Sequence, residues 1–272
     1  MKSAQINIKL LFVIALALTI ISCEKVVELD LDDENQMLVV EGIVHDSIGD
    51  NFVLLSKSKS FNDNSGGFQT VSGAEVIVRD DLGNTFVLTE RNAGYYKNDS
   101  LKGTTGRTYF LTVRTGEKVV TAQSSMGWRV NLDSLSYEKI DSPFGDSNED
   151  ESDEYRVFTH FFDPPIIKNF YRIKAFVKGV QEKGFIVLDD NLIEGDSVVF
   201  PIFQSRFLEK DTVTVQLLSI DEKNYRYFNA IAASQNGEVP GNPETNLVGK
   251  NVVGYFGAYA KSERKIVMNP LP

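Results

Sequence analysis

The sequence predicts an all-β protein: an N-terminal β-sandwich followed by a second β-rich domain that carries one short helix. Three observations lead there. Apolar residues recur in short runs, often at every second position, bounded by turns bearing Gly, Asp or Asn. One stretch alone, residues 221–235, shifts to three- and four-residue spacing. Aromatic residues make up 11% of the chain and fall mostly inside the short runs, where large rings fill the cores of sandwiches.

The chain opens with a targeting segment, residues 1–22. Lys2 and Lys9 supply positive charge, and Leu10 to Ile21 (LLFVIALALTII) is an apolar run interrupted only by Thr19. The run is shorter than the ~20 residues that span a bilayer core, and charge, short apolar stretch and small residue together make a signal peptide. Its end, Ile20-Ile21-Ser22-Cys23, resembles the lipobox of bacterial lipoprotein precursors. There the cysteine is acylated, with palmitate among its chains, and becomes the new N-terminus. Cys23 is the only cysteine in 272 residues and stands where a lipobox requires it. Each buried methylene of an acyl chain contributes ~0.8 kcal/mol, so two or more chains give a lasting anchor.

With Cys23 committed to lipid, disulfides, Cys-based zinc sites and thiol catalysis are excluded. Loss of Lys2 and Lys9 with the signal takes the formal charge from −10 to −12. Such a surface repels nucleic acid, which is not expected as a partner. Residues 23–36 then read as an acidic tether behind the lipid, with export sorting as the functional alternative.

The expected sandwich occupies residues 37–126. MLVVEGIV (37–44) and FVLLS (52–56) are apolar runs separated by a turn. AEVIVRD (74–80) alternates, with Ala74, Val76 and Val78 opposite Glu75, Ile77 and Arg79. Asp80 to Asn84 supplies a turn, with Gly83 available for positive φ, before TFVLTE (85–90). RTYFLTVRT (107–115) and KVVTAQS (118–124) read as a hairpin around Gly116-Glu117.

The second domain spans residues 127–272. Residues 141–154 form an acidic loop, with six carboxylates between 146 and 154; such a segment has no apolar face to bury. Strands follow at EYRVFTHFF (154–162), NFYRIKAFVKG (169–179), GFIVLDD (184–190), SVVFPIF (197–203) and DTVTVQLLSI (211–220). In the second of these Tyr171, Ile173, Ala175 and Val177 alternate with Arg172, Lys174 and Phe176. The helix follows at 221–235 with Asp221 as its cap, and VVGYFGAYA (252–260) and RKIVMN (264–269) close the chain as two strands.

No catalytic or metal-ligating set emerges, and no cofactor is expected. His45 reads as an exposed turn residue and His160 as a strand residue; neither has a ligand partner at metal spacing. P-loop, Rossmann and nucleophile-elbow patterns are absent from the sequence. The acidic loop lacks the glycine of an EF-hand, although calcium coordination there stays open. A carboxylate pair for glycoside hydrolysis cannot be tested by spacing alone.

Segment 71–96 (VSGAEVIVRDDLGNTFVLTERNAGYY) resembles the repeating motif of prealbumin-like, Ig-like or carboxypeptidase-regulatory-like sandwiches. Over nearly its full mature length the chain resembles the domain of unknown function 4249 family of Gram-negative outer-membrane lipoproteins. The segments that carry the likeness are LVVEG (38–42), SGAEVIVRDDLGNTFVLTE (72–90), GRTYFLTV (106–113), LDSLSY (132–137), FYRIKAF (170–176) and VVGYFGAYA (252–260). That resemblance implies a lipid-anchored protein of the outer membrane, on its periplasmic or cell-surface side, accompanying a TonB-dependent transporter without catalysis. A surface adhesin or carbohydrate-binding module is the alternative, and an unrecognised glycoside hydrolase the third. Tyr255, Phe256 and Tyr259, in a Gly-flanked strand near a Pro-rich loop, are the expected partner contacts; filling of the second core is the competing role for the same three rings.

Overall fold

The computed structural model describes residues 36–59, 67–140, 153–191, 195–203, 205–235, 237 and 243–270. The signal segment, Cys23, nearly all of the acidic tether and residues 141–152 of the acidic loop lie outside them.

The described chain is all-β with a single helix. Seven strands come first: β1 (Leu38–His45), β2 (Phe52–Lys57), β3 (Glu75–Asp80), β4 (Thr85–Asn92), β5 (Tyr95–Lys97), β6 (Thr108–Thr115) and β7 (Lys118–Ser125). They form one sheet in the order β1-β2-β5-β4-β3-β6-β7. The expected turn between β3 and β4 is built by Asp80, whose Oδ1 accepts the N–H of Leu82 at 3.1 Å and of Asn84 at 2.9 Å, while Gly83 takes φ +88°. The β6–β7 hairpin turns at Gly116-Glu117 as the sequence requires. Tyr96 closes the first motif: its hydroxyl accepts the Ala74 N–H at 2.9 Å and donates to the Val71 carbonyl at 3.1 Å.

The later strands are β8 (Leu132–Lys139), β9 (Glu154–Phe162), β10 (Phe170–Val177), β11 (Val180–Gln181), β12 (Ile186–Asp189), β13 (Ser197–Pro201), β14 (Phe207–Leu208) and β15 (Thr212–Ser219). Helix α1 (Glu222–Gln235), β16 (Leu247–Val248) and β17 (Val252–Val267) complete the chain. β8, β9, β13 and β14 make a separate four-stranded sheet around β9.

The two closing strands expected at 252–260 and 264–269 are one strand, β17, of 16 residues. Its first half pairs in parallel with β1, from Leu38 opposite Val252 to His45 opposite Tyr259. Its second half pairs antiparallel with β15, from Ser219 opposite Ala260 to Thr212 opposite Val267. The polar run 261–265 reads as a break in sequence, yet it is ladder-bonded, with Glu263, Arg264 and Lys265 exposed. β17 thereby joins β10, β11, β12 and β15 to the first seven strands, and with β16 at the edge beside β7 they make one thirteen-stranded sheet.

Three apolar clusters result. Contact of β17 with β7 folds the first part of the sheet over on itself, enclosing Val40, Leu55, Val78, Tyr96 and Leu111 together with Phe256 and Ala258 of β17. A second cluster, with Tyr155, Phe161, Tyr171, Leu217 and Met268, fills the space between the four-stranded sheet and β10, β15 and β17. The third, with Ile43, Phe170, Leu218, Phe228 and Tyr259, lies beneath α1. Residues 36–272 cluster as one compact unit, because the segments on both sides of residue 126 share β17.

α1 starts at its expected cap. Asp221 Oδ1 accepts the Asn224 N–H at 2.8 Å, an N-cap bond of the kind that stabilises by ~1 kcal/mol. Asp221 Oδ2 accepts the Ser124 hydroxyl at 2.6 Å. Asn224 Nδ2 donates to the Phe256 carbonyl at 3.0 Å, and the Tyr259 hydroxyl donates to Asn224 Oδ1 at 2.7 Å. The first turn of the helix is thus bonded to β7 and β17, which fixes where the rest of it crosses the sheet.

Candidate functional site

α1 packs on β10, β12 and β17, and a cavity of about 670 Å³ opens between helix and sheet. Strand alternation decides its wall, since residues two apart share a face. β10 contributes Arg172, Lys174 and Phe176; β1 contributes Glu41, Ile43 and His45; β17 contributes Tyr255 and Lys261. α1 roofs it with Tyr227, Phe228 and Ile231, and Phe52, Tyr95 and Phe185 complete the aromatic surround.

Arg172 is the most constrained charge in this wall. It is 5% exposed. Its guanidinium carbon lies 3.8 Å from the centroid of Phe228 and 5.1 Å from that of Phe185, so the cation is held over one ring and beside another. Its Nε has no hydrogen-bond partner, and it forms no ion pair among the described residues. Tyr255, whose hydroxyl is hydrogen-bonded to Arg172, stacks edge-on against Phe228 at 4.8 Å and tilts against Tyr227 at 5.5 Å. The aromatic rings therefore position Arg172 through their packing on one another.

The electrostatics follow from burial. Desolvation raises the Glu41 carboxyl above the usual carboxylate range, against the opposing pull of Arg172 and Lys174. Lys174 is pushed down to about 8, chiefly by burial, with Arg172 and Lys261 adding to the effect. His45 is driven down to about 4, again first by burial and then by Lys261. It is therefore neutral at physiological pH, and its Nδ1 is another buried polar atom without a partner. Burial also raises Tyr227 to about 12 and Tyr255 above its ordinary value. Lys261 is ion-paired with Asp50, while its backbone N–H donates to Asp46 Oδ1 at 3.0 Å. Asp46 in turn accepts Arg129 at 2.6 Å.

Of the aromatic residues singled out from sequence, Tyr255 lines this cavity. Phe256 is fully buried in the folded-over sheet, and Tyr259 is fully buried beneath α1; neither ring offers surface to a partner. Cys23 lies outside the described residues. His45, expected exposed in a turn, is the last residue of β1 and only 7% exposed, because Tyr259 and the Asn51 side chain pack over the end of that strand. His160 sits in β9 as expected, with Nε2 2.7 Å from Ser136 Oγ. Arg172, Lys174, Glu41 and Lys261 were not singled out as site residues in the sequence. The signal was present in the Arg-x-Lys-x-Phe face of β10, but nothing local says that a helix fifty residues later covers that face. Among the described residues no three His, Cys, Asp or Glu side chains are grouped to hold a metal ion.

The geometry defines a class before it defines a family: an all-β protein in which the one helix among the described residues closes an aromatic-walled, partly charged cleft on the face of a shared sheet. Residues 24–265 match the family described as a domain of unknown function (DUF4249), and the chain belongs to that family. No curated protein matches it.

Proposed function

We propose that the mature chain is a lipid-anchored binding protein of the outer membrane, without turnover, that holds a small ligand in the cleft beneath α1 and works beside a TonB-dependent transporter. The observation that carries the binding reading is the cleft itself. Its volume of about 670 Å³ falls in the ~300–1,000 Å³ range of small-molecule sites, and aromatic walls with a few placed polar groups are what such sites use. Of its two carboxylates Asp50 is held by Lys261, which leaves Glu41 alone where a glycoside hydrolase works with two acting together.

The anchor and the transporter rest on the lipobox at Cys23 and on the family. A lipid anchor raises the effective concentration of any neighbouring membrane protein, so a modest interface is well populated. Metabolic labelling with a fatty-acid analogue should mark the wild-type protein and leave Cys23→Ala unmarked and soluble; equal labelling of both removes the anchor. Cross-linking in intact cells followed by mass spectrometry should recover a β-barrel transporter. Recovery of polysaccharide alone would favour the second reading, a carbohydrate-binding module, which the ring-lined wall of the cleft also suits; recovery of nothing would overturn the accessory role.

A further inference from the structure

We infer that the ligand of the cleft is a small organic acid with a ring or apolar face, its carboxylate or phosphate group held between Arg172 and Lys174. This rests on the binding reading above and narrows it to one ligand chemistry.

Placement comes first. Arg172 and Lys174 are two apart on β10, so both project to the same face, roughly 7 Å apart along the strand. Arg172 is nine-tenths buried, stacked on Phe228, and has an unpartnered Nε. A buried guanidinium with no ion pair is only partly compensated by Glu41 across the cleft, and cation–π stacking offsets only part of its desolvation. A planar, bidentate anion is what the fork of an arginine is shaped to accept.

Charge balance comes second. The groups facing the cleft from every element around it are Glu41 and His45 of β1, Asp50 before β2, Tyr95 of β5, Arg172 and Lys174 of β10, Lys261 and Tyr255 of β17, and Tyr227 of α1. Lys261 and Asp50 neutralise each other. His45 is neutral, and Tyr227 and Tyr255 keep their protons. One carboxylate, Glu41, is left against two cations. The cleft is therefore locally positive inside a chain of net charge −10. Lys174 holds its proton weakly for a lysine, and an anion placed beside it strengthens that hold. Phe185, Tyr227 and Tyr255 offer the flat apolar surface for the rest of the molecule.

The test is calorimetric titration of the intact purified protein with phenyl phosphate, benzoate and glucuronate, each against a neutral counterpart: benzyl alcohol for the first two, glucose for the third. At least one acid should bind roughly tenfold or more tightly than its neutral counterpart, and the identity of the best acid tells phosphate from carboxylate. Lys174→Gln should weaken that acid by about tenfold with an unchanged melting temperature, and Lys174→Arg should restore it. Raising the pH from about 7 to about 9.5 should weaken binding to the wild type by about tenfold as Lys174 loses its proton, and should leave Lys174→Gln unaffected. Equal binding of acids and neutral counterparts overturns the inference and leaves the cleft as a binding site. Binding of none of the probes overturns both. Retention of full affinity by Lys174→Gln also overturns it, since that half-buried side chain is then not a ligand contact.

Discussion

Replacing Gly257 with alanine should unfold the third apolar cluster from within. A Cβ at this position would lie 1.9 Å from the Tyr259 hydroxyl oxygen and 2.0 Å from its Cζ, far inside contact distance. The Tyr259 ring lies flat across Gly257 on the same face of β17, fully buried, and its hydroxyl reaches Asn224 at 2.7 Å. One added methyl therefore evicts a whole side chain. The Asn224 carbonyl then loses its donor while still buried, which costs about 1–3 kcal/mol. Partial loss of the ring's packing adds about 1–2 kcal/mol, well under the ~3–5 kcal/mol of deleting a buried aromatic outright. Gly257→Ala should destabilise by about 2–5 kcal/mol. The assay is urea unfolding of the protein without residues 1–23, with the slope checked for constancy. Gly116→Ala is the control: it sits at φ +55° with nothing near its Cβ, so it reports backbone strain without a clash and should cost about 1 kcal/mol. Combining Gly257→Ala with Tyr259→Ala should be no worse than Tyr259→Ala alone, because the ring is no longer there to be displaced. Additive effects in that pair, or a Gly257→Ala cost below that of Gly116→Ala, would refute the reasoning.

Two further outcomes follow from the same geometry. Asp221→Ala removes the cap of α1 and the acceptor of Ser124 and should cost about 2–3 kcal/mol in urea; a loss below ~0.5 kcal/mol would mean the helix is positioned by packing alone. His45 has a folded pKa of about 4 against an ordinary 6.5, so the unfolded chain binds the extra proton between those values. Its contribution is complete above about pH 6.5, is lost as pH falls towards about 4, and changes no further below that; it amounts to at most ~3 kcal/mol. His45→Gln should flatten the stability profile in that window, and an unchanged profile would show that the imidazole is solvated.

The strands were legible because alternation and turn chemistry are local. Asp80-Asp81-Leu82-Gly83-Asn84 announces both its turn and the strands it joins, and Asp221 announces the start of α1. What needed the third dimension is long-range. Both faces of β10 are covered, one by the second sheet and one by α1, so its alternation does not reveal which face is functional. Phe256 and Tyr259, flanked by glycines, read equally as partner contacts or as core; in the fold both rings are buried, and Gly254 and Gly257 let the Val40 backbone and the Tyr259 ring lie close. His45 begins a polar run that looks like a turn, and it is long-range packing by Tyr259 of the parallel partner strand, together with Asn51, that buries it.

The pairing of β1 with β17 makes the first described strand and the last one neighbours in the middle of the sheet, with the whole of the intervening chain as their connection. A chain that emerges N-terminus first cannot finish either of its two large cores until β17 has been made, since both draw side chains from β17 or from residues just beyond it. Such remote closure is slow. The same arrangement makes the molecule intolerant of losing β17, whose removal would open the sheet at its centre and leave both halves without a wall.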